Sequence, residues 1–136
     1  MTDENKRRNL TDELQRAEES LRAAEALLGL NLHADSVSRS YYAVLHFVRA
    51  LLLSRGLEGK SHSGVLHLFH SELVRSGAFP SVHNRALAAL QRSREFADYD
   101  AAVTFTAPDA EASLADARAF AADALRVLGA TGLLGD

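Results

Sequence analysis

The sequence contains no cysteine. That excludes disulfides, thiolate-held zinc and a thiol nucleophile, and it suits a reducing compartment. It also lacks an excess of positive charge: 15 Lys and Arg stand against 18 Asp and Glu, a formal net charge of −3. The chain as a whole therefore exerts no non-specific pull on nucleic acid, and any such site must be a local basic patch. No apolar run approaches the roughly 20 residues that a membrane span requires. The beginning, Met1 to Arg8, leads into polar amphipathic sequence rather than an apolar signal core. The expectation is a cytoplasmic protein with no membrane partner. P-loop, dinucleotide fingerprint, nucleophile elbow and zinc signature are all missing, and no cofactor is expected.

What is present is ordinary globular material. Hydrophobic residues make up 47% and charged residues 24% of 136 residues, enough for one domain with a single core. Leu10, Leu14, Ala17, Leu21, Ala24 and Leu28 recur at three- and four-residue steps, which predicts a helix over about 9–28, with Thr11, Asp12 and Glu13 in its first turn. Gly29 and Asn31 are its stop residues. A second helix is expected from Ala34 or Asp35 to Arg55, ended by Gly56. It is apolar over most of its girth (Val37, Tyr41, Val44, Leu45, Val48, Leu51, Leu52, widened by Tyr42, Phe47 and Leu53) and so belongs at the centre of a bundle.

Ser61 or Ser63 can cap a third helix running to Arg75, and Pro80 or Ser81 opens a fourth with Leu87, Leu90 and Ala97 inward. Val103 to Thr106 reads as a short extended connector. Thr106, Pro108 and Asp109 open a last helix to about Leu128, with Leu114, Ala117, Phe120, Ala121, Ala124, Leu125 and Leu128 inward. The fold class is all-α: an up-and-down bundle of four to five helices in one domain spanning 1–136, with its core at about 9–128 and a frayed tail over 130–136.

Polar groups inside so apolar a second helix are either paired or used. Tyr41 belongs to its core stripe, whereas Arg39, Tyr42, His46 and Arg49 fall near a second face suited to a ligand or a partner subunit. His67 and His70 share a face, but the Glu-x-x-His pairs of bundle metal sites are absent. Solvated or core-satisfied histidines are the better reading, and no metal ligands are assigned. The loop Lys60-Ser61-His62-Ser63-Gly64 offers free N–H groups at a helix start beside a Lys and a His, which reads either as a phosphate site or as a plain capped helix. Arg94 and Asp98, four apart with Tyr99 next, form either a surface pair or an Arg fork held toward phosphate.

Three blocks together, Ser38-Arg39-Ser40-Tyr41-Tyr42-Ala43-Val44-Leu45-His46, Lys60-Ser61-His62-Ser63-Gly64 and Arg94-Glu95-Phe96-Ala97-Asp98-Tyr99, resemble the signatures of the small stand-alone branch of the HEPN superfamily. The likeness runs from about Ala34 to Leu128. It implies a helical bundle, a homodimer, a minimal nucleotidyltransferase as partner in a toxin–antitoxin-like system, and a nucleotide or RNA as ligand. Many members of that superfamily are metal-independent endoribonucleases whose Arg is followed, after four to six residues, by His. Here Tyr99 stands where His is expected after Arg94. Arg39 and His46 keep the spacing literally, but in the second helix, with Cα atoms about 10 Å apart along its axis. Phosphate contacts are expected from Arg39, Lys60, His62, Ser63, Arg94, Asp98 and Tyr99. If RNA is cleaved, the candidates are Arg94 with His46 or His62. The remaining alternative is a purely structural interaction module.

Overall fold

The computed structural model describes residues 2–134. Five α-helices carry the fold: α1 (Asp3–Gly29), α2 (His33–Leu53), α3 (His62–Phe69), α4 (Asn84–Tyr99) and α5 (Ala107–Gly129). No strand occurs among the described residues, and no helix is long and apolar enough to cross a membrane. The all-α bundle expected from periodicity is the observed architecture.

The first helix starts six residues before its expected beginning. Thr2 is its N-cap, accepting a hydrogen bond from the Asn5 N–H at 3.1 Å. Helix-compatible charged residues then extend the helix through a polar stretch that carries no apolar period. Thr11 is therefore no first-turn residue; its hydroxyl donates back to the Arg7 carbonyl at 2.7 Å. The chain turns at Asn31, which takes φ 62°, a left-handed conformation that Asn tolerates better than most residues. The short turn makes α1 and α2 an antiparallel pair. Across that pair Ser36 Oγ donates to the Ala24 carbonyl at 2.7 Å, so a buried hydroxyl has its partner and the helices approach over small residues.

The second helix packs against α1, α3, α4 and α5, and fourteen of its residues are buried, Ser36, Ser38 and Ser40 among them. Its central place follows from that apolar girth. Phe47, Phe79, Phe120, Leu10, Leu51 and Leu52 are the largest side chains fully removed from water; truncating one such Phe to Ala costs about 3–5 kcal/mol. Phe79 lies 5.2 Å from Phe69 and 5.0 Å from Phe120 between ring centroids, which ties the segment after α3 to α5.

Three details depart from a regular reading. The expected third helix changes to a π-helical turn over His70–Val74. A single 3-10 turn, Ser81–His83, precedes α4. Leu125, expected to face inward, is 41% exposed; α5 keeps Leu114, Ala117, Phe120, Ala121, Ala124 and Leu128 inside, and Leu125 falls just outside that stripe. At the start of α5 the capping box is complete: Thr106 Oγ1 accepts from the Asp109 N–H and Asp109 Oδ2 accepts from the Thr106 N–H. Of the tail expected to fray, residues 130–134 form turns with Leu133 packed against the core, and residues 135 and 136 lie outside the described residues.

Candidate functional site

Arg94 is the charged side chain that the fold takes furthest from water: it is 7% exposed. It lies in α4, which buries only one other residue fully, Leu90 one turn earlier. The four-residue step from Leu90 sends Arg94 into the same seam against α2. There its guanidinium carbon is 5.0 Å from the centroid of the Tyr41 ring and 5.5 Å from that of Tyr99. Arg94 Nη1 donates to Tyr99 Oη at 3.2 Å and lies 3.9 Å from Asp98 Oδ2. Arg94 Nε and Tyr41 Oη are buried without a hydrogen-bond partner among the described residues. The Arg94–Asp98 pair is thus long and single, and one guanidinium donor remains unused.

Aromatic rings wall this cation. Tyr41 and Tyr42 meet edge to face at 5.4 Å, and His62 lies 6.2 Å from Tyr41 and 5.9 Å from Tyr42. Arg39 lies over the outer side of Tyr42, its guanidinium carbon 4.9 Å from the ring. Cation–ring contacts of this kind contribute about 0.5–2 kcal/mol, more as the cation loses water. The adjacent tyrosines point about 100° apart on the helix, so one ring enters the core seam while its neighbour faces α3.

The loop before α3 fixes His62. Gly56 closes α2 at φ 73°, and the Gly56 and Leu57 N–H groups donate to the Leu53 and Leu52 carbonyls, both at 2.9 Å. Gly59 then runs against the start of α3 so closely that a Cβ there would lie 2.7 Å from Val65 Cα and 2.8 Å from Val65 N. Ser61 caps α3, its hydroxyl accepting from the Gly64 N–H at 3.0 Å, and Ser63 Oγ lies 3.3 Å from Ser61 Oγ. The imidazole one residue past the cap is thereby turned toward the two tyrosines.

Electrostatics follow from this geometry. Burial first, then the charges of Arg94, Arg49 and His46, hold the His62 pKa below the ordinary histidine value. Neutral imidazole is its form at pH 7. Burial raises the Tyr41 pKa, with the Arg94 charge opposing it. For Arg94 burial works against the charged form, but Tyr41, Tyr42 and Tyr99 outweigh it and its pKa lies above the usual value. The site is a permanent cation with a neutral, half-buried imidazole beside it.

The other expected residues separate into places. His46 does not reach the tyrosine cluster; its Nδ1 is 2.6 Å from Glu13 Oε2 on α1. Arg49 lines a cleft of about 400 Å³ with Asp12, Glu13 and Glu58, floored by Leu52, Leu53 and Leu57. Lys60 is exposed on the loop and Ser63 is exposed in the first turn of α3. Arg39 and His46 therefore point to different partners, one to Tyr42 and the other to α1. No group of three or more His, Asp or Glu among the described residues is placed to hold a metal ion. Tyr41, assigned from sequence to the core, is 2% exposed and also forms the floor under Arg94; the Tyr41-Tyr42 doublet was its available signal. Phe96, 50% exposed beside Tyr99, carried no signal beyond its place on an otherwise polar helix face.

Comparison with known proteins gives a consistent picture. A family model described as HEPN domain matches residues 11–127. The chain is 44% identical over 91 residues to a UPF0332 protein of Gloeobacter violaceus, covering 67% of this chain and 72% of that protein. It is 39% identical over 83 residues, 61% of this chain and 62% of the relative, to a Methanocaldococcus jannaschii protein named "Putative toxin". A second protein of that organism with the same description is 33% identical over 105 residues, 77% of this chain and 71% of the relative.

Proposed function

The chain belongs to the HEPN domain family, and on that footing we propose that it binds the phosphate of RNA or a nucleotide at the Arg94–His62 cluster. It does so as a cytoplasmic homodimer, with a minimal nucleotidyltransferase as partner, in a toxin–antitoxin-like system. The observation that carries this reading is Arg94: buried, walled by tyrosines, with one carboxylate at 3.9 Å and an unpartnered Nε. A buried cation is costly unless matched, and an anion carrying several oxygens supplies both the charge and the missing acceptor. Arg39 adds positive charge over Tyr42, at the edge of the cluster. The names of the Methanocaldococcus relatives support the toxin-like assignment.

A second reading, RNA cleavage without metal, is favoured by one specific feature, the half-buried His62 imidazole held against the Tyr41 and Tyr42 rings in the same cluster as Arg94. A neutral imidazole can take the 2′-hydroxyl proton while the 2′-oxygen attacks phosphorus. Arg94 then stabilises charge on the non-bridging oxygens as the bond to the 5′-oxygen breaks, and that oxygen takes a proton from solvent. His46 is held by Glu13, which leaves His62 as the base in this scheme.

One experiment separates the readings. The full chain is incubated with RNA in EDTA, beside Arg94→Ala and His62→Ala. Binding that inorganic phosphate competes away, without cleavage, supports the first. Cleavage lost in both variants supports the second. A wild-type chain that neither binds nor cleaves leaves a structural interaction module. The partner claim is tested by co-purification with a nucleotidyltransferase encoded beside the gene.

A further inference from the structure

Arg49 stands one turn before Leu52 and Leu53 at the end of α2, where the first half of α1 and the loop after α2 border the cleft of about 400 Å³. Arg49 is half-buried and makes no ion pair, hydrogen bond or ring contact among the described residues. Asp12, exposed on α1, and Glu58, exposed in the loop, have no ion-pair or hydrogen-bond partner among those residues either. Glu13 differs, because its Oε2 lies 2.6 Å from His46 Nδ1. With that pair set aside, two open carboxylates line the cleft with one guanidinium, and one negative charge is left over. Between the charges lies an apolar floor of buried Leu52 and Leu53 with half-buried Leu57.

We propose that this cleft binds a free basic amino acid of the lysine type, with its carboxylate on Arg49, its α-ammonium on Asp12 and its side-chain cation on Glu58. The proposal does not depend on the phosphate site at Arg94. A guanidinium takes a carboxylate in a two-pronged fork, and two open carboxylates accept two ammonium groups. The ligand's net positive charge cancels the charge left over in the cleft. Its methylene stem covers the leucine floor while both ends stay at polar walls, as long cationic side chains do on apolar surface. From Arg49 to Leu53 the helix rises about 6 Å, close to the reach of a four-carbon side chain. The volume falls in the range of small-molecule sites. Other occupants each leave a group unmatched. A metal ion would meet the guanidinium, and no group of three His, Asp or Glu among the described residues is placed to hold one. A diamine leaves Arg49 without an anion, and an aliphatic amino acid leaves one carboxylate open.

The test is isothermal titration calorimetry on the full chain at low salt with four probes. L-lysine carries all three charges, norleucine lacks the side-chain cation, and cadaverine lacks the carboxylate. Nα-acetyl-lysine stands for the C-terminal lysine of a peptide. Lysine is expected to bind about tenfold tighter than each of the other three, because each has lost one charged contact. Arg49→Met should lower lysine affinity about tenfold and leave cadaverine binding equal or tighter. Glu58→Gln should weaken lysine and cadaverine and leave norleucine unchanged. These opposite patterns separate contact with the ligand from damage to the fold, which would weaken every probe alike. Arg94→Met should bind lysine as the wild type does. No heat from lysine in the millimolar range overturns the proposal, and so do affinities for the four probes within twofold of one another. Equal binding of lysine and Nα-acetyl-lysine overturns the free amino acid as ligand. Lysine binding lost in Arg94→Met but kept in Arg49→Met places the ligand at the other cluster, and the cleft fails while the phosphate reading is untouched.

Discussion

Arg94 and Tyr41 meet face to cation at 5.0 Å although they belong to different helices and are separated by most of the middle of the chain. The contact places a permanent charge on an apolar floor, with a free Nε above it. Replacing Arg94 by Met keeps the volume and removes the charge. Because a buried charge is often no more stabilising than an apolar side chain of its size, urea unfolding should give a stability within about 1 kcal/mol of wild type or higher. RNA affinity should fall tenfold or more. A variant that unfolds while wild-type-like RNA binding persists in its folded fraction would show that Arg94 serves only the fold.

The His62 pKa lies below its ordinary value because the imidazole is partly buried and feels the charges of Arg94, Arg49 and His46. Between its native pKa and about 6.5 the unfolded chain holds a proton there that the native chain does not. Stability from this residue is therefore complete above about 6.5 and declines as pH falls toward the native value. His62→Asn should flatten that acid limb, so the melting temperatures of variant and wild type should draw apart in the variant's favour between roughly pH 8 and pH 5. Parallel melting curves across that range would contradict the assignment.

Glu13 and His46 join α1 to α2 at 2.6 Å, both side chains about a quarter exposed. A double-mutant cycle with Glu13→Gln and His46→Ala should give a coupling of about 1 kcal/mol in thermal or urea unfolding. Strictly additive single changes would remove the pair from the account of how α1 is held.

At Gly59 any side chain collides with Val65 backbone atoms at 2.7 and 2.8 Å, and backbone cannot swing aside. Gly59→Ala is expected to cost about 1–3 kcal/mol. It should also weaken RNA binding, since the displaced loop carries Lys60 and His62. Wild-type stability and affinity in this variant would mean that the loop tolerates a shift without moving the imidazole.

Thr106 gives the complementary control. Thr106→Ala removes the cap of α5 and should lower stability by about 1 kcal/mol, read as a shifted unfolding midpoint, with RNA affinity unchanged. An affinity change would tie α5 to the site, where no contact places it.

Much of the fold was legible in the sequence because burial repeats. The apolar girth of α2, the stop at Gly56 and the capping box at Thr106 and Asp109 all follow from local rules. The early start of α1 was not legible, since Asp3 to Asn9 carries no apolar period and only Thr2 marks the beginning. Neither was the π-helical turn at His70–Val74, whose residues pattern like any helix. At the site, Arg94, Asp98 and Tyr99 are neighbours along one helix, so their proximity could be read from spacing. His46 with Glu13 and Tyr41 with Arg94 are tertiary pairings. Periodicity indicates which side of a helix is inward, but it cannot name the residue opposite.

The central position of α2 also sets an order of assembly during synthesis. The antiparallel pair α1 and α2 leaves the ribosome before the other three helices and can associate locally, followed by α3 with His62. A nascent chain at that stage has the tyrosine floor and the imidazole but no guanidinium, because Arg94 and Tyr99 arrive only with α4. Until α4 and then α5 close on α2, the long apolar helix still lacks two of its neighbours. The proposed phosphate site can therefore be completed only after α4 has been made, and a prematurely terminated product ending before residue 94 is expected to lack it.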